Sequence, residues 1–518
     1  MQALNVPRRD WLFVAVLTAL YLALAVCWQD ISYFDETFYM DSGNHFALGD
    51  LIHQLQFAPL YALWYRVLGF ILPWPLCRYF GSWVILVVVS LFLPVWTRLR
   101  NAWLYAWLLV CVPFFGYSNF SFSPYVNLFA ACLLVAGACL IRARDLGLDD
   151  AAWVAFITCF VVAFARPEFA FLVPVLAMLY FAVSWTQSAR RSRSRVWLKA
   201  CAVLAPTALM LLILRHGGGS RSGVAIAQHF NLRAAEKHLI PGGQDPWTSD
   251  YALRLFHVDP GNNAATTSAT IFQFIQANPR LFLEHLLANL ATPLTWCAFL
   301  VLYLALSVPF WPGKLSSERV RSLRPLSLYT VLVSLASLVA VLSIYPDQRY
   351  FFTLLPVFLL YVTQLADAFV PVDARWQPWL LAAGLPIIVL TTVGWSQLKE
   401  RRLLLPHPVL DTVACLDDLQ RIPTTPNHTI FETVGVAAGL LTEPHRGVEM
   451  WDIRRWDEFQ SWIRASRPAW VEVNPAVHSF YGVSDSDLDA YLVSQRYTAH
   501  PCPANARFSP LNVYVAAP

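Results

Sequence analysis

Trp11–Trp28 reads WLFVAVLTALYLALAVCW, an apolar run with no charged side chain, and Pro7-Arg8-Arg9 precedes it. A helix of this length rises about 27 Å, close to the roughly 30 Å thickness of a bilayer's hydrocarbon core. No small-residue cleavage site follows, so the run is expected to be a first membrane helix rather than a removable signal peptide. The rest of the chain has the same character. Of 518 residues, 57% are hydrophobic and 14% charged, and mean hydropathy is +0.49. Soluble domains carry about 25% charged residues. A net charge of +4 is modest and gives no sign of a nucleic-acid partner, and the uneven placement of the basic residues is more informative than their total.

Further apolar runs lie near 79–96, 102–117, 125–141, 151–166, 168–185, 198–214, 292–311, 326–345, 350–370 and 379–397. With the first, they make about eleven candidate spans by length and hydropathy. The fold class expected is therefore a polytopic α-helical membrane protein. Basic residues fall in alternate junctions: Arg98 and Arg100, Arg142 and Arg144, the run from Arg190 to Arg195, Arg319 to Arg324, and Arg375. Cytoplasmic loops are enriched in this way, which places the N-terminus inside. Residues 1–397 then form the membrane domain, with outer loops at about 29–78 and 215–290. Residues 398–518 are then expected to form a soluble domain on the outer side of that membrane.

Within the outer segments, Phe57–Leu72 is aromatic and weakly charged, and Ile271–Leu290, broken at Pro279, is amphipathic. Both suit helices lying in the membrane interface. In the tail, helix-like pieces (Leu410–Leu419, Trp456–Ser466, Ser484–Ser494) alternate with strand-like pieces (Thr429–Phe431, Trp470–Val473, Asn512–Val515). That alternation predicts a small α/β domain. The ten cysteines include no CxxC pair. Cys415 and Cys502 fall in the tail, where an oxidising compartment would let them pair or leave them as two thiols.

Charged groups near apolar runs are where chemistry is sought. Asp35-Glu36 follows the first apolar run closely, a position suited to a carboxylate that takes a proton from an acceptor, or simply to a solvated span end. Arg349-Tyr350 lies at the outer end of a late run, where a planar guanidinium suits a phosphate as well as it suits Asp347. Arg166-Pro167-Glu168 divides one long apolar stretch and reads as an ion pair facing a cavity or closed within a loop. Arg66 and His45 of the first loop read as surface or headgroup contacts. His229, Arg233, Glu236, Lys237 and His238 show no metal spacing and read as a solvated helix face. No nucleotide-binding glycine motif is present. The two halves of the chain look dissimilar, unlike inverted-repeat transporters.

Together these residues resemble a known family. Asp35-Glu36-Thr37-Phe38-Tyr39, then Gly43, Gly49-Asp50 and Pro59-Leu60-Tyr61, is similar to the first outer loop of the GT-C superfamily of glycosyltransferases. The closest likeness is to its bacterial branch, with the protein O-mannosyltransferases and the lipid A aminoarabinose transferase. Arg349-Tyr350 with Pro356 and Arg166-Pro167-Glu168 resemble later motifs of that branch. The resemblance implies a GT-C-like fold and an outer-face site. It also implies a polyprenyl-phosphate sugar donor, a glycan, lipid or protein acceptor, and a surrounding of membrane lipid. Asp35 would be the base, with Glu36 in reserve. Arg349, with Arg166 and Tyr350, would hold the donor phosphate, and Glu168, Tyr39, Arg66 and His45 would be further site candidates. Many relatives carry a second acid in the next outer loop, but Gly116–Tyr125 has none, so no cofactor or divalent metal is expected. A flippase or transporter of lipid-linked sugars, or an oligosaccharide ligase or polymerase, is the alternative expectation.

Overall fold

The computed structural model describes residues 126–187, 193–214, 221–240, 249–259, 267–310, 318–343 and 353–369 and most of 39–72. Toward the C-terminus it describes 429–432, 446–450, 455–473, 475–502 and 511–517, with short pieces elsewhere. The first-loop helices are α1 (Asp50–His53) and α2 (Pro59–Gly69). A group of long apolar helices follows: α3 (Val126–Ala143), α4 (Leu148–Val162), α5 (Glu168–Gln187) and α6 (Arg193–Ile213). Then come the shorter α7 (Arg221–Glu236), α8 (Tyr251–Phe256), α9 (Ile271–Ala277) and α10 (Pro279–Leu290). The helical part closes with α11 (Pro293–Ser307), α12 (Glu318–Arg321), α13 (Arg324–Ser343) and α14 (Leu355–Phe369).

One core unites α2 with α3, α4, α5, α13 and α14. Its closest approach is at Gly137 of α3. A Cβ there would lie 2.7 Å from Thr158 Oγ1 of α4 and would also collide with the Tyr329 hydroxyl of α13. The absent side chain lets Tyr329 reach past and donate to the Leu134 carbonyl at 2.7 Å. A separate small core joins α7 to α10 through Ile226, Leu253, Phe256, Phe274 and Phe282. Ile271–Leu290 does break at Pro279: Thr270 and Gln273 form a capping box on α9, and the Asn278 side chain caps α10 by accepting from Leu281 N at 3.1 Å.

The expectation of about eleven membrane spans is corrected. Among the described residues one helix, Val126–Ala143, is long and apolar enough to cross a membrane, and 61% of it is buried within the protein. The apolar helical stretches Glu168–Ala182, Ala200–Ile213, Leu300–Phe310 and Leu355–Phe369 are shorter. Hydropathy alone cannot separate a spanning helix from a helix enclosed by its neighbours, because both are apolar all round. Here α4 has only 15 residues, about 22 Å, and it is enclosed by α3, α5 and α13. The expected run at 379–397, all but Ala15 of 11–28, all but Tyr105 of 102–117, and most of 79–96 lie outside the described residues. Phe57–Leu72 contains a helix that is amphipathic with respect to the protein. Its helix α2 buries Tyr61, Ala62, Tyr65 and Leu68 against the protein and leaves Val67, Phe70 and Ile71 exposed.

The C-terminal part is a five-stranded mixed sheet of order β2-β1-β3-β5-β4. The strands are β1 (Thr429–Glu432), β2 (Arg446–Glu449), β3 (Trp470–Val473), β4 (Tyr497–Cys502) and β5 (Leu511–Ala516), with α15 (Trp456–Ser466), α16 (Pro475–Tyr481) and α17 (Asp485–Ser494) between them. β1 runs parallel to β2 and β3, and β5 runs antiparallel to β3 and β4. Side chains alternate between faces. Phe431, Val471 and Tyr514 pack against Phe459, Ile463 and Leu488 of the helices. Ile430, Trp470, Val513 and Val515 pack on the other face beneath Leu416 and Leu419. β3 is buried on both faces, which is why Trp470–Val473 is apolar at three of its four positions. Cys415 and Cys502 are joined in a disulfide with a Cα–Cα distance of 5.9 Å, pinning the short segment that covers this second face.

Two predictions follow from this domain's chemistry. The disulfide closes a span of 87 residues. Replacing Cys502 by serine should therefore cost about 2–5 kcal/mol of the domain's stability. The measurement is the denaturant midpoint of the full chain without reductant, and an unshifted midpoint counts against a structural role. Burial raises the Tyr497 and Tyr514 hydroxyls above their ordinary value of 10.0, and the hydrogen bond from Tyr514 to Asp489 raises Tyr514 further. The unfolded chain then releases these protons more readily than the folded one. The stability that these two protonated hydroxyls contribute should be fully present below about pH 10 and fall as pH rises above it. A melting series on the full chain in which Tyr514→Phe removes part of that alkaline loss would agree.

Candidate functional site

Two of the residues singled out from the sequence, Arg166 and Glu168, lie where α4 ends. Pro167 has no amide hydrogen and disfavours helix in the residue before it, so the chain turns between α4 and α5. The turn is tight: Ala165 N donates to Val162 O at 2.8 Å and Arg166 N to the same carbonyl at 2.7 Å. Glu168 then opens α5, where a carboxylate meets the positive end of the helix dipole. Its Oε1 accepts from Arg166 Nε at 2.7 Å and lies 2.5 Å from Nη2. The two side chains are 14% and 18% exposed. Arg166 and Glu168 are thus a partly desolvated ion pair, closed within the turn.

The first loop docks on this turn. Leu60 N donates to Phe164 O at 2.9 Å, fixing the start of α2 beside the pair. Ala58 enters α2 with φ 52 and ψ 55, a left-handed conformation disfavoured for alanine, and it is held there buried. Tyr61 of α2 meets the Tyr39 ring edge-on at 5.3 Å and the Phe129 ring of α3 at 5.3 Å, and its hydroxyl lies 3.4 Å from that of Tyr65. Gly43 allows the loop this close, since a Cβ there would sit 2.6 Å from the Tyr65 Cβ.

A second tie lies on α3 itself. Asn127, in its first turn, accepts from Thr353 Oγ1 at 3.3 Å, and both side chains are buried. Thr353 stands just before α14 and four positions after Arg349 in the sequence. Neither residue belongs to the expected set. The available signal was a single amide in the otherwise apolar run Val126–Ile141, since a buried amide needs a partner.

The expected site residues fare differently. Tyr39, Arg166 and Glu168 are brought to one region by α2 and the α4–α5 turn. Arg66 is used locally: it donates to Asn44 O at 2.8 Å and its guanidinium lies 5.0 Å over the Phe70 ring. His45 is exposed. Asp35, Glu36, Arg349 and Tyr350 lie outside the described residues.

The expected solvated face of the second loop is corrected in part. Glu236, Lys237 and His238 are exposed, but His229 is buried against Trp247. Arg233 donates to His285 O at 3.1 Å and also to Asn289 Oδ1. The Asn289 amide nitrogen therefore faces His285 Nε2, at 3.2 Å, and that ring nitrogen must accept. The cause is helix α10, whose polar positions 285 and 289 face α7 rather than water. Among the described residues no group of three or more His, Cys, Asp or Glu side chains is arranged to hold a metal ion.

No protein-family model matches the chain, and no curated protein matches its sequence.

The Arg166–Glu168 pair yields a direct measurement. Removing either partner leaves the other partly buried and unpaired. A double-mutant cycle with Arg166→Gln and Glu168→Gln should give a coupling of about 1–3 kcal/mol in unfolding free energy. A coupling near zero would mean that the pair does not hold the turn.

Proposed function

We propose that the chain is a glycosyltransferase that moves a sugar from a polyprenyl-phosphate donor to a glycan, lipid or protein acceptor at the outer face of a bacterial inner membrane. The observation that carries this is the hydrogen bond from Leu60 to Phe164, which seats the first loop on the Arg166–Glu168 turn. Motifs far apart in the sequence thereby share one region, as a site assembled from them requires. The tie from Thr353 to Asn127 brings the segment after Arg349 onto α3, the same helix whose Phe129 touches Tyr61.

Two features support the location. Large apolar side chains stand exposed on α5, α6 and α11, among them Met178, Leu204, Leu211, Val301 and Leu304, as suits apolar surroundings. A disulfide in the C-terminal domain suits an oxidising compartment.

The proposed chemistry is a single displacement. Asp35 takes the proton of the acceptor hydroxyl or amine. The freed lone pair attacks the anomeric carbon, the bond from that carbon to the phosphate oxygen breaks, and the configuration inverts. Polyprenyl phosphate leaves with its charge compensated by Arg349, with Arg166 as a further candidate for that role, in a site partly shielded from water. Glu36 stands in reserve as the base, Tyr350 beside Arg349 as a second phosphate donor. Glu168 keeps the Arg166 guanidinium in place.

The test is release of polyprenyl phosphate from a panel of polyprenyl-phosphate monosaccharides by the reconstituted protein, with and without acceptor extract and divalent metal. Asp35→Asn should reduce turnover by about 100- to 10,000-fold while donor binding persists. Arg349→Ala should weaken donor binding by about 10- to 100-fold, the worth of a charge-assisted hydrogen bond. Normal turnover in Asp35→Asn removes that residue from the role. Movement of labelled lipid across the bilayer with no release would instead mark a transporter.

A further inference from the structure

One end of the C-terminal domain is built differently from the rest. Arg467 caps α15 with φ 42 and ψ 62, and Arg496, just after α17, has φ 66. These are left-handed positions where glycine is usual and a Cβ is disfavoured. Strain of this kind persists only where the surroundings enforce it, and it is often found at functional positions.

The sheet register puts both arginines at the same end. Tyr497, next to Arg496, pairs with Ala516, and Trp470, three residues after Arg467, pairs with Val515. Ala516 N donates to Ala469 O, and Ala517 N to Arg496 O, each at 3.0 Å, so the end of β5 lies between the two segments. The Tyr497 hydroxyl donates to Pro468 O at 2.9 Å and ties them further. Arg464, in the last turn of α15, adds a third cation, and all three arginines are exposed. Neither 461–470 nor 491–500 contains an acidic residue, whereas Asp485, Asp487 and Asp489 occupy the opposite end of α17.

Beside the arginines stands Val493, whose carbonyl accepts from Arg496 N at 2.9 Å. It is 55% exposed, the one large apolar side chain of the C-terminal domain left exposed among the described residues. Three exposed arginines at one end of the sheet, with an exposed apolar side chain one turn before Arg496, match an extended layer of anionic headgroups over apolar tails. A single small anion would call for converging donors in a cavity.

We propose that the Arg464, Arg467 and Arg496 end of the C-terminal domain is a contact surface for anionic phospholipid. The proposal rests on the membrane location proposed above but not on the sugar-transfer chemistry.

The test is amide hydrogen exchange on the full chain in phosphatidylcholine nanodiscs, with and without phosphatidylglycerol. Exchange across 464–470 and 493–497 should slow in the anionic discs and recover in high salt. The double variant Arg467→Gly with Arg496→Gly removes both charges and also relieves the left-handed strain, so it should melt no lower than the wild type. It should lose about 30-fold of the added protection, the share of two arginines near an anionic surface. Equal exchange in both lipids would overturn the proposal. Protection that survives in the glycine variant would overturn the assignment to these arginines, and the same protection from inorganic phosphate alone would overturn the lipid surface. Polyprenyl phosphate release, measured on the same preparations, tests the transfer chemistry separately.

Discussion

Pro167 lacks the amide hydrogen that a continuous helix would need at its position, and much of the helical part follows from that. The apolar sequence from α4 into α5 is long enough to run on as one rod, and Pro174 and Pro206 show that a proline alone is carried within helices α5 and α6; at Pro167 the missing donor is flanked by Arg166 and Glu168, and there the chain turns. In an unbroken helix the Phe164 carbonyl would accept from residue 168. In the turn it accepts from Leu60 instead, and the first loop gains a backbone anchor. Arg166 and Glu168, two residues apart, would not face each other on a helix. The turn lets them meet, and their mutual neutralisation makes a charge tolerable beside so much apolar surface. One missing hydrogen bond thus produces an ion pair, a docking point and an antiparallel helix packing.

The same economy of polar groups governs the contacts between helices. Tyr329 donates to Leu134 O, Tyr361 to Ala305 O at 2.8 Å, and Ser327 to Leu306 O. Each hydroxyl reaches a backbone carbonyl on another helix. In an apolar interior such bonds add direction to packing that dispersion alone leaves free to slide. The Asn127–Thr353 bond is of the same kind but joins two side chains, so it depends on both residue identities.

The sequence was legible where a residue's chemistry leaves no choice. Pro167 and Pro279 mark breaks that the structure keeps, and the strand-like pieces Trp470–Val473 and Asn512–Val515 are strands. It was illegible where the outcome depends on partners. Apolar runs look alike whether lipid or protein surrounds them, so the count of spans was overstated. Arg233 looked solvated because the amphipathic periodicity of α10, which turns His285 and Asn289 toward it, carries no address for its partner, and His229 because nothing in its own helix announces the Trp247 ring that covers it. Of the candidate site, the turn at Arg166 was readable and its docking with Leu60 was not, because a backbone bond between residues a hundred positions apart leaves no trace in composition.

The order of strands also bears on how the C-terminal domain is made. β5 is the last of the five strands to be synthesised, yet it lies between β3 and β4 and pairs with both. Until it arrives, β3 has one unpaired edge and β4, whose only neighbour in the sheet is β5, has no strand to pair with. The nascent domain is therefore open to edge-to-edge association at β3 while that part of the chain is emerging. A chaperone that guards it has that edge to cover, and has to let go when β5 slides in.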